Sequence, residues 1–488
     1  MINKSKNLKS KSLSKAKLFL QTIISVSTAL IATNLPAQAL NFNFSYAPGT
    51  TEEQMIGFEM AGNYWSNYLT DDVTVNIFVE STSMLPENVI GGALPGMTQY
   101  KQYQHFRNDF LEDITSDTDR KALDGFNKDQ HGSTYSLMVD GNEFEYMSEV
   151  SVTRASAKAL GMRLDSEQDL DGYILFSDLS NLTQNVSWNH NYQSSTVAQG
   201  TLDLFSMAVH ELGHTLGFVS SGDDPGWLDV LKRSRTQNTQ DAGFKAKEHI
   251  TLLDLYRYSS ESSQDGMPDL SVGGNPFFSF DGGQTNTANF ASGEDANLGG
   301  DGYQSSHWEQ QSNVLGIMDP TLSMGQRRLA KNLDLTAMDL LGWDVRQNNI
   351  NFNTLYNDAK TQLQQKFGSS YTPPQWIDQN TDNIDDRSAS LDKMIRKSGK
   401  IYEWGYQGYQ WGANGFWWGW NGFWQSHEEL EQDGFWQNFS WQTMDFDTST
   451  AEVKSTPEPT FLIGFIGLSL FGILSRSQGF LGRKRDAK

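Results

Sequence analysis

No cysteine occurs among the 488 residues of this chain, and that absence removes several chemistries at once. Disulfides, thiolate metal sites, a cysteine nucleophile and a lipid-modified N-terminal cysteine are all excluded. Any metal must be held by histidine, aspartate or glutamate. Basic residues are scarce too: 37 Lys and Arg face 59 Asp and Glu, for a formal net charge of −22. Six lysines crowd into Lys4 to Lys17 and five more basic residues lie beyond residue 456, so residues 40 to 456 keep 26 basic against 57 acidic residues, about −31. A surface of that sign repels phosphate backbones, so nucleic acid is not expected as a partner.

Long apolar runs are confined to the two ends. "LFLQTIISVSTALIA" follows the lysines and precedes Ala37-Gln38-Ala39. A basic start, a short apolar core and a small-residue box make an export signal, here residues 1–39, and place the mature chain outside the cytoplasm. At the other end Pro457-Glu458-Pro459, an apolar run from Phe461 to Leu474 and the basic Arg483, Lys484 and Arg485 form a tail, 457–488. Basic residues after an apolar segment hold that end on the cytoplasmic side. The three-part order resembles the PEP-CTERM sorting signal of bacteria. That resemblance implies a membrane segment, an exosortase as processing partner, and release to the cell surface, the outer envelope or the medium. A plain C-terminal membrane anchor would use the same hydrophobic physics.

Between the ends, Thr50 and Thr51 precede a stretch in which Met55, Phe58, Gly62, Trp65 and Leu69 share one helical stripe. "VTVNIFVE" then alternates Val73, Val75, Ile77 and Val79 as a strand does, and "DGYILFSD" at 171–178 reads as a second strand. After it comes "TLDLFSMAVHELGHTLGFVSS". Residues four apart on a helix lie about 40° apart on one face, so His210 and His214 can present two ring nitrogens to one metal ion. Glu211 points to the side, toward a metal-activated water rather than the metal. Gly217 suits the end of that helix, because a residue without Cβ adopts positive φ freely.

A catalytic zinc takes three protein ligands. The metzincin pattern H-E-x-x-H-x-x-G-x-x-H would put the third at position 220, where this chain has Ser220. Downstream alternatives are Asp223, Asp224, Glu248 on an expected helix "HITLLDLYRYS", the adjacent His249, and His307 in "SSHWEQQSNVLGIMDP". Taken alone, His307 would be a surface histidine beside an exposed Trp308, and Met318 an ordinary core residue. Taken together, H-E-x-x-H-x-x-G-F, a long insertion and then H-W closing on a Met turn resemble the leishmanolysin-type metzincins. The resemblance implies that His210, His214 and His307 bind Zn2+, that Glu211 is the general base and that Met318 lies beneath the metal. It further implies an α+β zincin fold over residues 40–345, with a twisted mixed sheet, a zinc-binding helix and an insertion at 219–306. In that family a strand such as 171–178 borders the cleft and pairs with extended substrate, and "LDLTAMDLLGWDV" would be the closing helix.

The insertion is glycine-rich and acidic in "NPFFSFDGGQTNTANF" and "GEDANLGGDG". Loops of that kind can hold Ca2+, although solvated acidic surface is their commoner meaning. Residues 346–400 read as a polar helical linker containing "TLYNDAKTQLQQKF". Residues 401–445 follow as a Trp/Gly-rich tract with a seven-residue repeat, "IYEWGYQ", "GYQWGAN", "GFWWGWN". Eight of the fourteen tryptophans lie between Trp404 and Trp441, and glycine at this period rules out a coiled coil. Such aromatics either stack on a surface polysaccharide or pack as a spacer. The expected function is an exported zinc endopeptidase acting on protein or peptide substrates through a zinc-activated water and Glu211. The alternative is a non-catalytic surface or matrix-binding protein with a degenerate zincin domain and a glycan-binding repeat.

Overall fold

Thr51 opens the first helix reciprocally with Gln54. Its hydroxyl accepts the Gln54 amide at 3.2 Å, and the Gln54 side chain accepts the Thr51 amide at 2.9 Å. This capping box satisfies two donors that a helix start otherwise leaves orphaned. Glu52 and Glu53 in the first turn suit the positive end of the helix dipole. The helix, α1 (Glu52–Tyr68), buries nearly everything from Met55 to Trp65 rather than one stripe. The reason is its position, with the main sheet on one side and two further helices, α2 (Leu204–Thr215) and α4 (Phe352–Phe367), packed along it. The Trp65 indole N–H donates to the Val209 carbonyl at 2.9 Å and ties α1 to the middle of α2.

The computed structural model describes residues 40–47, 49–83, 85–98, 101–126, 132–164, 167, 169–237, 250–368, 402–404, 409–412, 415–416 and 442–447. The segments 1–39 and 457–488, expected from the sequence to be an export signal and a sorting tail, lie outside these residues, as do Glu248, His249 and most of the Trp/Gly-rich tract. Among the described residues no helix is long and apolar enough to cross a membrane.

The chain is an α+β protein built on a mixed sheet. Numbered in chain order within that sheet, the strands are β1 (Asn41–Tyr46), β2 (Thr74–Thr82), β3 (Val89–Pro95), β4 (Gly172–Ser177), β5 (Thr321–Leu322) and β6 (Gln442–Phe446). Their spatial order is β1-β2-β4-β3-β6-β5. β1, β2 and β4 run parallel, β3 is antiparallel to both β4 and β6, and β5 is parallel to β6. β2 is buried on both faces over Val75–Glu80, not on alternate residues. Its second face carries Phe78 against Tyr173, and Glu80 accepts the Tyr173 hydroxyl at 2.8 Å.

Two readings of the sequence change here. The strand at 171–178 exists as β4, but β2 and β3 fill both its edges, so its backbone has no edge left for a substrate. β3, not β4, is the strand next to α2. The segment "HITLLDLYRYS" is not a helix where it is described: it forms a four-residue 3-10 turn, Leu253–Tyr256, and then a strand, Arg257–Tyr258. Asp254 accepts the backbone amides of Thr251 and Ser221, a local alternative that competes with helix formation.

The insertion is not a set of open loops. It contains a helix, Pro225–Gln237, and a three-stranded antiparallel sheet of Arg257–Tyr258, Phe277–Phe278 and Ala288–Asn289. Phe278 and Phe290 are buried there against the Trp308 ring, at centroid distances of 5.4 and 5.0 Å. Downstream, α3 (Asn332–Leu340) is the expected closing helix, and α4 lies within the polar segment 346–400. α4 buries Leu355, Ala359 and Leu363, and Gln362 and Asn63 exchange two side-chain amide bonds across the α1 contact. In the Trp/Gly-rich tract, Tyr402–Trp404, Tyr409–Gly412 and Gly415–Phe416 pair as a small antiparallel sheet.

Asp171 pins the start of β4. It accepts Arg154 Nε at 3.1 Å, Lys158 Nζ at 2.6 Å and the Asn76 amide at 2.8 Å, with all three side chains of the ion-pair group buried. Removing the carboxylate strands two buried cations, a loss of about 3–5 kcal/mol. Asp171→Ala should therefore lower unfolding stability by that amount in urea titrations, and a change under ~1 kcal/mol would refute the buried-cluster account.

Candidate metal centre

All twelve residues of α2 are buried, so the helix is an internal one and its polar side chains must be satisfied inside the protein. His210 and His214 stand one turn apart with ring centroids at 4.6 Å. The helix ends at Leu216, and Gly217 takes φ +127°, the positive-φ conformation its sequence position calls for. The freed Leu216 carbonyl accepts the Ser156 hydroxyl at 3.0 Å and the Trp343 indole N–H at 2.7 Å. This reversal brings the Phe218 carbonyl back to His214.

The third imidazole is His307, ninety-seven residues from His210 in the chain and stacked on its ring at 5.2 Å. The Ser220 amide donates to the Ser306 hydroxyl at 2.8 Å. The position at which a compact motif would carry its third histidine is thus docked against the neighbour of His307, and the insertion leaves the helix and returns to the same spot. The Ser220 hydroxyl itself donates to Asp254 at 2.6 Å. Asp224 accepts the Trp227 amide at 2.9 Å at the start of the Pro225–Gln237 helix. It does not join the histidines. Glu248 and His249 lie outside the described residues.

Each histidine is oriented by a carbonyl. His210 Nδ1 donates to Ile317 O at 2.7 Å, His214 Nδ1 to Phe218 O at 2.8 Å and His307 Nδ1 to Gln304 O at 3.1 Å. A carbonyl only accepts, so each Nδ1 carries the proton and each Nε2 keeps its lone pair. The three Nε2 atoms then face one another, at 3.0 Å between His214 and His210 and 3.2 Å between His307 and His210. Protonation is not the remedy, because burial holds all three rings neutral. His307 is pushed down to about 4, and His210 and His214 fall well below the usual range, with the neighbouring imidazoles adding to burial. Three converging lone pairs in a dry interior fit a cation. A tetrahedral zinc ~2.0–2.1 Å from each nitrogen would set the nitrogens ~3.3 Å apart. Among the described residues these three form the group able to share one ion. An all-imidazole set suits Zn, Cu, Fe or Ni, so the donors by themselves leave the ion's identity open.

Met318 is fully buried against α2. A Cβ on Gly213 would lie 2.5 Å from its sulfur, so a glycine between the two helix histidines is what admits the thioether. Glu211 faces β3, where a Cβ on Gly91 would meet its Oε1 at 2.5 Å. Its buried carboxylate oxygens have no side-chain hydrogen-bond partner, and the Ala93 amide is the backbone donor that acts on them. Burial pushes it well above the usual carboxylate range, Asp445 on β6 adds to this, and the Ala93 amide opposes it. A buried carboxyl on the residue after His210, with its proton affinity raised by burial, is chemically able to accept a proton near neutral pH.

Asp334 is the support that sequence reasoning missed. Fully buried at the start of α3, it accepts the Trp308 indole N–H at 2.8 Å and the amides of Ile317 at 3.0 Å, Met318 at 3.2 Å and Lys331 at 2.7 Å. One carboxylate therefore fixes the residue after His307, the residue whose carbonyl accepts from His210, and Met318 together. An acid at the third helical position of "KNLDLTAMDLL" is a capping signal in the sequence. Nothing there says that it also receives Trp308. In the acidic loops, Asp295 pairs with Lys232 at 2.7 Å and caps Asn297, while Asp301 accepts the amides of Ser292 and Tyr303.

Comparison with family models, curated proteins and solved structures finds no match to this chain. The site therefore stands on its own geometry. His307→Ala should abolish stoichiometric metal binding, whereas Ser220→Ala and Met318→Leu should keep it. Asp334→Ala should weaken binding by roughly 10–100-fold through loss of orientation. Competition against a chromophoric chelator reads all four. Wild-type affinity in His307→Ala would overturn the three-histidine centre.

Proposed function

We propose that the protein is an exported zinc endopeptidase. The observation that carries this reading is the convergence of three imidazole Nε2 atoms, with the buried Glu211 carboxyl, which has no side-chain partner, on the residue next to His210. A zinc ion held by His210, His214 and His307 would supply a Lewis acid that acidifies water and polarises a peptide carbonyl. The chain's own residues do the rest. The Ile317, Phe218 and Gln304 carbonyls hold the rings in the tautomer that leaves Nε2 free. Glu211 accepts the water's proton on its carboxylate as the water attacks, then delivers it to the departing amine, and no covalent intermediate with the chain is needed. A raised proton affinity suits both transfers, since an ordinary carboxylate would hold the proton too weakly to carry it across. The buried thioether of Met318 gives the floor of the site an apolar surface.

The zincin fold class and the leishmanolysin-like assignment belong to this proposal. They are supported by the order of helix motif, insertion, third histidine and Met318, and by a mixed sheet beside the histidine helix. Export and surface sorting by an exosortase rest on the terminal segments of the sequence. The rival class, a non-catalytic surface protein that binds polysaccharide through its Trp/Gly repeat, gives no reason for a carboxyl to be buried without a side-chain partner on the helix that carries the histidines.

Glu211→Gln should retain stoichiometric zinc and lose peptide cleavage by about 10²–10⁴-fold. Mass spectrometry of a peptide library incubated with the zinc-loaded full chain, wild type against variant, measures it. Equal cleavage by both proteins would sink the peptidase reading.

A further inference from the structure

His210, Glu211, His214 and His307 are all fully buried, and part of what covers them comes from far along the chain. The site residues are complete by Met318, and five of the six strands come from residues 41 to 322. β6 alone comes from beyond α4, at the end of the segment that the sequence assigns to the Trp/Gly-rich tract. It is inserted between β3 and β5. β3 forms one wall of that slot and β5, the strand directly after Met318-Asp319-Pro320, forms the other. α2 packs against both β3 and β6, so the slot crosses the helix that carries Glu211.

The register places the strand directly. Gln442 pairs with Ala93, Thr443 with Gly92 and Met444 with Gly91, and a bulge follows before Asp445 meets Val89. Gly91 is the residue whose missing Cβ makes room for the Glu211 carboxylate. Partners in an antiparallel pair project to the same face, so Met444 lies on the Glu211 side of the sheet. Gln442, Met444 and Phe446 are buried, while Thr443 and Asp445 are half-buried.

Backbone bonds supply much of the grip. The Asp445 amide donates to Pro320 O at 2.9 Å, the Phe446 amide to Asn88 O at 2.8 Å and the Asp447 amide to Leu322 O at 3.0 Å. The Thr443 amide donates to the Gln304 side chain at 2.8 Å, and Gln304 is also the residue whose carbonyl orients His307. Recognition through the main chain is how an exposed sheet edge takes up an extended peptide of varied sequence. One feature opposes the grip: the half-buried Asp445 places its carboxyl within electrostatic reach of two other acids, Glu211 and Glu294.

We propose that residues 442–447 are a peptide plug bound in cis, occupying on the β3 edge the place of an extended polypeptide and shielding the metal centre until they are displaced. The inference deepens the peptidase reading and rests on it for the nature of the competing ligand. Opening then requires that β6 leave both β3 and β5, while β1, β2, β4 and β3 stay paired without it.

The chain has no cysteine, so a single engineered pair can lock the plug without competition. Gly92 and Thr443 are register partners on the face opposite Gly91 and Glu211. Antiparallel partners stand about 4.5–5.5 Å apart at Cα, within the ~4.4–6.8 Å that a disulfide spans. In the zinc-loaded full-length Gly92→Cys/Thr443→Cys protein, oxidation should slow zinc extraction by 4-(2-pyridylazo)resorcinol at least about tenfold, and reduction should restore the wild-type rate. Asp445→Pro deletes the amide that binds Pro320 and leaves every histidine in place, so it should speed extraction. Equal rates in the oxidised and reduced forms would overturn the plug, as would an unchanged rate in a folded Asp445→Pro protein. Peptide cleavage is read in the same samples. If extraction responds and no form cleaves peptide, the plug stands and the peptidase reading fails.

Discussion

Three imidazole lone pairs meet in an interior from which water is excluded, and the rest of the structure is arranged around that conflict. Neutral rings cannot hydrogen-bond to one another through nitrogens that only accept, and burial makes protonation costly. The protein fixes the tautomers from outside, with one backbone carbonyl behind each ring. Those carbonyls belong to Phe218, just past the histidine helix, and to Gln304 and Ile317, thirteen residues apart on the segment that leads to Thr321–Leu322, so both stretches must be held in place. Asp334 and Asp254 do much of that holding. Both are buried acids whose oxygens are saturated by backbone amides and neighbouring side chains, which is how a charge-bearing group is accommodated in a core.

The insertion between the second and third histidines reads differently in this light. Its composition is that of solvated loops, yet its aromatic residues form a nucleus in which Phe218, at the exit of α2, and Trp308, beside His307, pack at 4.9 Å. Phe278 and Phe290 close around them. The two ends of the excursion are thus joined by ring packing as well as by the Ser220–Ser306 bond. Loop-closure entropy grows only slowly with length, so a long detour costs little more than a short one once its ends are bound. A distant third ligand is therefore compatible with a rigid site.

What could be read in the sequence was local. The 3.6-residue period of α2, the four-residue spacing of His210 and His214, the Gly217 terminus and the Thr51 cap all depend on neighbours within one or two turns. His307 was legible through the order of its segment, H-W before a Met turn, and the structure brings it to the other two. The failures involve non-local pairing. "DGYILFSD" identifies itself as a strand but carries no information about which strands flank it, and both of its edges proved to be filled. Trp308 looks like a surface aromatic until the insertion folds over it. The five residues of β6 follow a tract of repeats and show only weak alternation, too short a signal to separate from that tract. Asp254 reads as one acid in an apolar run, and its effect on the backbone of "HITLLDLYRYS" appears only when Ser221 comes within reach.

The position of β6 near the far end of the sequence has a temporal meaning. A chain emerges N-terminus first, from a ribosome or from an export channel, so residues 210, 214 and 307 appear well before residue 442. During that interval the sheet from β1 to β4 and the histidine helix can assemble with one side still open to solvent. An ion captured then enters without having to cross a finished wall. With residues 442–447 acting as the proposed plug, an ion held by the three histidines would exchange on the timescale of strand release rather than of diffusion. Two molecules of identical sequence can then differ in metal content according to the medium in which each was completed.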